Sequence, residues 1–129
     1  WLFGNAMILT GAFRKYNVSA DTHFRVGELG KMRIGAISTE TNVHFTAWGG
    51  ELKIGNHCAF NRNDIIVAHG YIEIGNDTVF GPNVCIYDHD HVFGPNGKVN
   101  GQYNRSPIHI GNNVWIGANV TILRGTTIL

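Results

Sequence analysis

The sequence carries almost no net charge: ten Lys and Arg stand against nine Asp and Glu, a formal balance of +1 over 129 residues. Neutralising a phosphate backbone or an anionic membrane surface takes a clustered basic excess, so this balance excludes an electrostatic nucleic-acid or membrane-surface binder. Nor does any apolar run approach the roughly 20 residues that cross a bilayer, so no membrane span is expected. Cysteine is scarce. Cys58 and Cys85 form no C-x-x-C pair, and two cysteines in a chain of this size make no disulfide framework. They read as buried or semi-buried reduced thiols of a cytoplasmic protein. No secretory signal is visible. The chain starts at Trp1 without a Met and stops at Leu129 in mid-pattern, so a piece of a longer polypeptide is expected.

What the sequence has in quantity is glycine, 17 residues set among many Ile and Asn. That punctuation suits short strands separated by tight corners rather than helices. Self-similarity gives the strands a period. Ile110, Ile116, Ile122 and Ile128 recur every six residues, Gly111 and Gly117 follow two of them, and Val114, Val120 and Thr126 stand two places before the next Ile. The same frame appears upstream as Ile54, Phe60, Ile66 and as Ile74, Phe80, Ile86. A longer period overlies it, because an apolar-x-Ile-Gly phrase puts its Ile at 34, 54, 74 and 110, in steps of 20, 20 and 36 residues. Three hexads plus two residues make a step of 20, and the step of 36 implies 16 residues extruded between Ile86 and Ile108.

A hexad is too short for an amphipathic helix and lacks the 3.6-residue period, whereas a short strand followed by a corner fits it. Three such strands per coil predict a triangular parallel β-solenoid in which each Ile, and the residue two before it, points into a shared core. Gly after the Ile is expected to relax the corner, and Asn56, Asn76 and Asn112 to take left-handed backbone angles there. The reading is one β-helix domain over 1–129, all-β, with an irregular segment over 1–30 and an extruded loop at about 88–107. Phe24, Val26 and Gly27 are expected to make one more corner, and Glu40 breaks the register of the following coil. The loop has turn signals in Gly94-Pro95-Asn96-Gly97, then Lys98, Tyr103 and Arg105, and no repeat. A stretch of that length is expected to serve function as a wall of an acceptor pocket.

From about Gly50 to Leu129 the sequence resembles the hexapeptide-repeat acyltransferases, specifically the galactoside, maltose and capsular-sugar O-acetyltransferase group. The phrases that carry the resemblance are IGNNVWIGANVTILRG from Ile110 to Gly125, FGPNVCIYDHDH from Phe80 to His91, and AFNRNDI around Asn61. The resemblance implies a left-handed β-helix, an exception to the right-handed crossover preference. It also implies acetyl-CoA as co-substrate, a saccharide or small-molecule acceptor, and a homotrimer with active sites between subunits.

Acetyl transfer from a thioester to a hydroxyl needs a base for the hydroxyl proton, donors for the developing oxyanion and a groove for the carrier. A neutral imidazole is the best base near pH 7, and Tyr87-Asp88-His89-Asp90-His91 places two at the mouth of the loop. Family members place the catalytic His seven residues after the Val of the preceding hexad, a count that runs from Val84 to His91, with His89 as the alternative. Asp88 and Asp90 are candidates to orient an imidazole. The resemblance further assigns Asn61, 30 residues before His91, to the acceptor pocket, and Asp88 and His69 to the same substrate-binding set. His69 stands where galactoside-type enzymes carry Asp. Trp115, Gly117 and Ala118 match the segment that lines the pantetheine arm of coenzyme A. Two rival readings use the same residues. His69 and His89, 20 residues apart, stack on adjacent coils and with His91 offer ligands for a zinc-dependent, carbonic-anhydrase-like β-helix, although no metal is expected. A noncatalytic trimerising module of a larger enzyme is the other, and the interrupting loop argues against it.

Overall fold

The computed structural model describes residues 17–129 and, of the stretch before them, the backbone of the strands Leu2–Phe3 and Ala6–Thr10. Among the described residues every regular element is a strand, and no helix is long and apolar enough to cross a membrane. The chain winds into a left-handed parallel β-helix of about five turns. Its first face stacks Ala6–Thr10, Lys31–Ile34, Glu51–Ile54, Tyr71–Ile74, Ile108–Ile110 and Thr127–Ile128. A second face stacks Ile37–Thr39, Cys58–Phe60, Val79–Phe80 and Trp115–Ile116. The third stacks His23–Gly27, His44–Trp48, Ile65–Ala68, Cys85–Tyr87 and Thr121–Leu123.

Alternation along each short strand sends one set of side chains inward, where coil stacks on coil. The hexad residues Ile54, Phe60, Ile66, Ile74, Phe80, Ile86, Ile110, Ile116 and Ile122 are all buried, as the repeat predicts. Phe60 and Phe80 stack with centroids 4.7 Å apart, and Phe45 meets Phe60 edge-on at 4.8 Å. The positions two before each hexad residue also face inward, and two of them are polar. Thr78 donates its hydroxyl to the carbonyl of Gly111 at 2.9 Å. Asp64 is fully buried and accepts from the Val84 amide at 2.8 Å and the Asn61 amide at 2.7 Å.

The corners work differently from expectation. Gly55 and Gly75 are there because successive coils nearly touch: a Cβ on Gly55 would lie 2.4 Å from Oδ1 of Asn76, and one on Gly75 2.5 Å from Oδ1 of Asn112. Asn56, Asn76 and Asn112 do not take the left-handed angles. The residues after them do, with φ of 61° at His57 and 57° at Asp77 and Asn113. The asparagines instead link coils, each Oδ1 accepting the backbone amide of the coil before, as Asn76 does from Asn56 at 2.8 Å. A second ladder of side-chain amides, Asn42 to Asn63 to Asn83 to Asn119, runs up the corner between the second and third faces at 2.9, 3.0 and 3.1 Å.

Glu40 lies outside the hexad frame because that coil is one residue short at its first corner. Ile34 pairs with Ile54, a step of 20, whereas Ile37 pairs with Cys58, a step of 21. Thr39 therefore takes the inward place that Phe60 holds one coil on. The lost residue is returned at the third corner, where Gly49 turns the chain at φ 72° and Glu51 pairs with Tyr71 again at a step of 20. Within 1–30 the described part is more regular than expected. Phe24, Val26 and Gly27 belong to a third-face strand in parallel register with His44–Trp48, and Phe24 stacks on Phe45 at 5.3 Å. The extruded segment is likewise ordered: His89–Phe93 and Val99–Arg105 form an antiparallel hairpin. Because it leaves and rejoins the coil at one point, every pairing that spans it has the same step of 36 residues, from Ile74 with Ile110 to Ile86 with Ile122.

Candidate active site

The hairpin leaves from the corner between the third and first faces, and there the sequence-selected imidazoles meet. Asp88 is the last inward residue before the exit and is fully buried. One of its oxygens accepts the His69 amide at 2.9 Å and the other the Gly70 amide at 2.7 Å. Its first oxygen also lies 3.0 Å from Nδ1 of His89. A buried carboxylate held by backbone donors fixes the orientation of an imidazole. Asp88 is thus spent on the corner and on His89, and its burial leaves no oxygen to touch an acceptor.

His69 and His89 stack with ring centroids 3.7 Å apart and an angle of 12°. Tyr103, returning on the second hairpin strand, packs edge-on against both, at 4.7 and 5.3 Å. Burial, and next to it the neighbouring His89, hold the His69 imidazole below its ordinary pKa, so it is neutral at pH 7. His91 pairs with Tyr103 across the hairpin, its ring 4.9 Å from the phenol ring, and is exposed. Asp90 does not orient an imidazole: it pairs with Arg124 of the third-face edge and accepts from Asn104 Nδ2 at 2.8 Å. This latch holds the hairpin against the solenoid next to His91. Between hairpin and solenoid runs a groove of about 540 Å³ lined by Trp48, His69, Tyr103, Arg105, Gln102 and Glu28, so the extruded segment does form a wall.

The remaining candidates lie on the other edge of the third face. Asn61 stands at the corner between the second and third faces, where its Oδ1 accepts the Arg62 amide at 2.8 Å. It borders a separate groove of about 600 Å³ with Ser38, Thr39, Glu40 and Val79. Trp115, on the second face beside Val79, is 79% exposed. Gly117 follows at the next corner, where an added Cβ would meet nothing within 4 Å, and Ala118 is exposed beside it. An open indole edge with bare backbone after it fits an apolar arm carrying amides. One chain therefore brings His69, Asp88, His89 and His91 together but leaves Asn61, Trp115, Gly117 and Ala118 across the width of the third face. For the zinc reading, parallel stacked rings offer each other their faces rather than converging nitrogen lone pairs. Among the described residues no group of three or more His, Cys, Asp or Glu side chains is placed to hold a metal ion.

No family model matches the chain. Individual relatives do: nodulation protein L of Rhizobium leguminosarum bv. viciae is 32% identical over 126 residues, which cover 94% of this chain and 66% of the relative. Galactoside O-acetyltransferase of Escherichia coli K12 is 37% identical over 89 residues, covering 69% of this chain and 43% of that protein. The chain belongs to the hexapeptide-repeat O-acetyltransferase family. Its length spans between 43% and 66% of these curated relatives. Among solved structures, the crystal structure of the polySia-specific acetyltransferase NeuO matches with a TM-score of 0.57 at 16% identity, over 95% of this chain and 71% of that one. That likeness is one of fold. The structure shows two features that sequence reasoning passed over. Asp64 occupies an inward hexad position, a place where an acid in the apolar frame was the available signal. Trp48 reaches the hairpin groove from a coil whose frame had slipped, and no periodic signal marked it.

Proposed function

We propose that the protein is an acetyl-CoA-dependent O-acetyltransferase acting on a sugar or saccharide hydroxyl. The observation that carries the reading is the exposed imidazole of His91, next to the Asp90–Arg124 pair and packed on Tyr103, whose ring lines an open groove. His91 takes the proton of the acceptor hydroxyl as that oxygen bonds to the thioester carbonyl carbon. The carbon–sulfur bond then breaks, and the imidazolium returns its proton to the departing thiolate. No covalent enzyme intermediate is needed, since neither thiol stands at the imidazole corner: Cys58 and Cys85 sit on the second and third faces. His89, tied through Nδ1 to Asp88 and covered by His69 and Tyr103, is the positioning member of the cluster rather than the base.

Acetyl-CoA is the second substrate, its pantetheine arm resting on Trp115 and the backbone at Gly117 and Ala118. Those residues and His91 sit on opposite edges of the third face, so a complete site needs the Trp115 edge of a second copy against the hairpin of the first. A homotrimer with sites between subunits meets that requirement, and Asn61 joins the acceptor side in the same way. The galactoside relative is named for a saccharide acceptor, which supports a saccharide here. The test is release of free thiol from acetyl-CoA by the full-length protein across a panel of sugars. His91→Ala should lose on the order of 10²–10⁴ in kcat, with His89→Ala losing less. Full activity of His91→Ala with loss in His89→Ala would make His89 the base, and no thiol release by the native protein with any acceptor would leave the noncatalytic trimerising module as the better account.

A further inference from the structure

The groove beside the imidazole cluster is lined by Arg105, and a second arginine, Arg25, lies over the indole of Trp48, which lines it too. Arg105, at the end of the returning hairpin strand, places its guanidinium carbon 5.7 Å from the centre of the Tyr103 ring. Arg25, on the third-face strand His23–Gly27, places its own 4.4 Å from the centre of the Trp48 indole. The indole is seated on Gly27, where an added Cβ would fall 2.2 Å from a ring carbon, so Trp48 has a fixed place at the groove. Neither guanidinium makes an ion pair among the described residues, whereas Arg33 pairs with Glu51 and Arg124 with Asp90. A guanidinium carried on an aromatic ring is held by a ring face and keeps its N–H edge open, the edge that binds a carboxylate or phosphate through two parallel bonds.

The groove's other walls suit a sugar. Trp48 and Tyr103 supply aromatic surface with polar edges, and the neutral His69 imidazole and the Gln102 amide supply hydrogen-bonding atoms for hydroxyls. Its volume of about 540 Å³ lies within the range of small-ligand sites. Glu28 is the one exposed carboxylate in the lining, and among the described residues it forms an ion pair with neither Arg105 nor Arg25. Asp88, the other acid nearby, is buried and already bonded to two amides and His89.

We propose that this groove takes an acidic saccharide, one whose sugar bears a carboxylate or phosphate, with Arg105 and Arg25 gripping the anionic group. The inference rests on the saccharide acetyltransferase reading and names the class of its acceptor. The experiment is calorimetric titration of the full-length protein with oligogalacturonate, its methyl ester and a hexose phosphate, alongside thiol release from acetyl-CoA with the same compounds. One or both anionic ligands should bind at least about tenfold more tightly than the ester, the worth of one charge-assisted hydrogen bond, and the preference should shrink as salt rises. Which of the two is preferred identifies the anionic group. Arg105→Ala should erase most of the preference, Arg105→Lys should restore part of it, and Arg25→Ala should weaken it independently. Equal binding of acid, ester and phosphate overturns the proposal, as does a preference that survives loss of both arginines. Thiol release with neutral sugars and no anionic preference would sink the groove assignment while keeping the transferase. Selective binding of the acid with no thiol release from any sugar would do the reverse.

Discussion

Asp64 and Asp88 occupy equivalent kinds of place, an inward position just before or after a corner of the third face, and differ in the donors they meet. Asp88 has three donors, two amides and His89. Asp64 has two, and burial pushes its carboxyl up to about 6 despite the amides of Val84 and Asn61. A carboxyl whose pKa is raised on folding binds more protons in the native state than in the unfolded one. Its contribution to stability is therefore full below about pH 4, the unfolded value, and is lost as pH rises through about 6. The lowered pKa of His69 acts in the opposite sense, adding stability as pH rises towards its unfolded value near 6.5. Comparing native protein with Asp64→Asn isolates the first effect. Denaturant midpoints measured from pH 4 to 7 should show the native protein losing ground to the variant across that range, and parallel curves would mean that Asp64 titrates as it does unfolded.

At the scale of the element, the hairpin is the piece that the repeat located without describing. Its position followed from arithmetic on Ile74, Ile86 and Ile110, because a solenoid core tolerates no change in coil perimeter except at a corner. Its form did not, since Val99–Arg105 is mostly exposed and has no hydrophobic period to read. The same limit hid the slip between Ile34 and Ile37, where a missing corner residue is compensated only at Gly49. Of the candidate residues, those on the hexad frame, Asn61, His69, Asp88 and Trp115, could be placed from the sequence. The contact of Tyr103 with three imidazoles, and the pairing of Asp90 with Arg124 rather than with a histidine, depend on how the hairpin folds back. Exposed ion pairs contribute little to stability, so Arg124→Ala should leave the unfolding midpoint almost unmoved. Its effect should appear as faster amide exchange at 99–105 and as a fall in kcat, because the latch sits next to His91. Unchanged exchange there would show that Tyr103 and the strand pairing hold the hairpin by themselves.

At the scale of the whole molecule, the third face separates the imidazoles from Trp115, and the proposed reaction needs both of its edges. Trp115 at 79% exposure and Leu123 at 59% leave apolar surface on the outward sides of the second and third faces, and solvated apolar area of that kind favours association. The full-length protein should run as a trimer in light scattering. Trp115→Ala should raise KM for acetyl-CoA more than it changes kcat, because its indole binds the arm and not the reacting carbon. A monomer with full activity would require one chain to bridge its own third face, which its topology does not do.

The way the hairpin is fastened has a consequence for how such a protein changes over evolution. Its exit and return are joined by a hydrogen bond from the Ser106 amide to the Asp88 carbonyl at 3.0 Å. One coil earlier, His69 alone stands where the hairpin residues 89–105 stand here. Swapping one hairpin for another at this corner requires no core residue to move and no later strand to find a new neighbour. The hairpin and the groove it walls can therefore be exchanged as a cassette, while the coils are inherited intact.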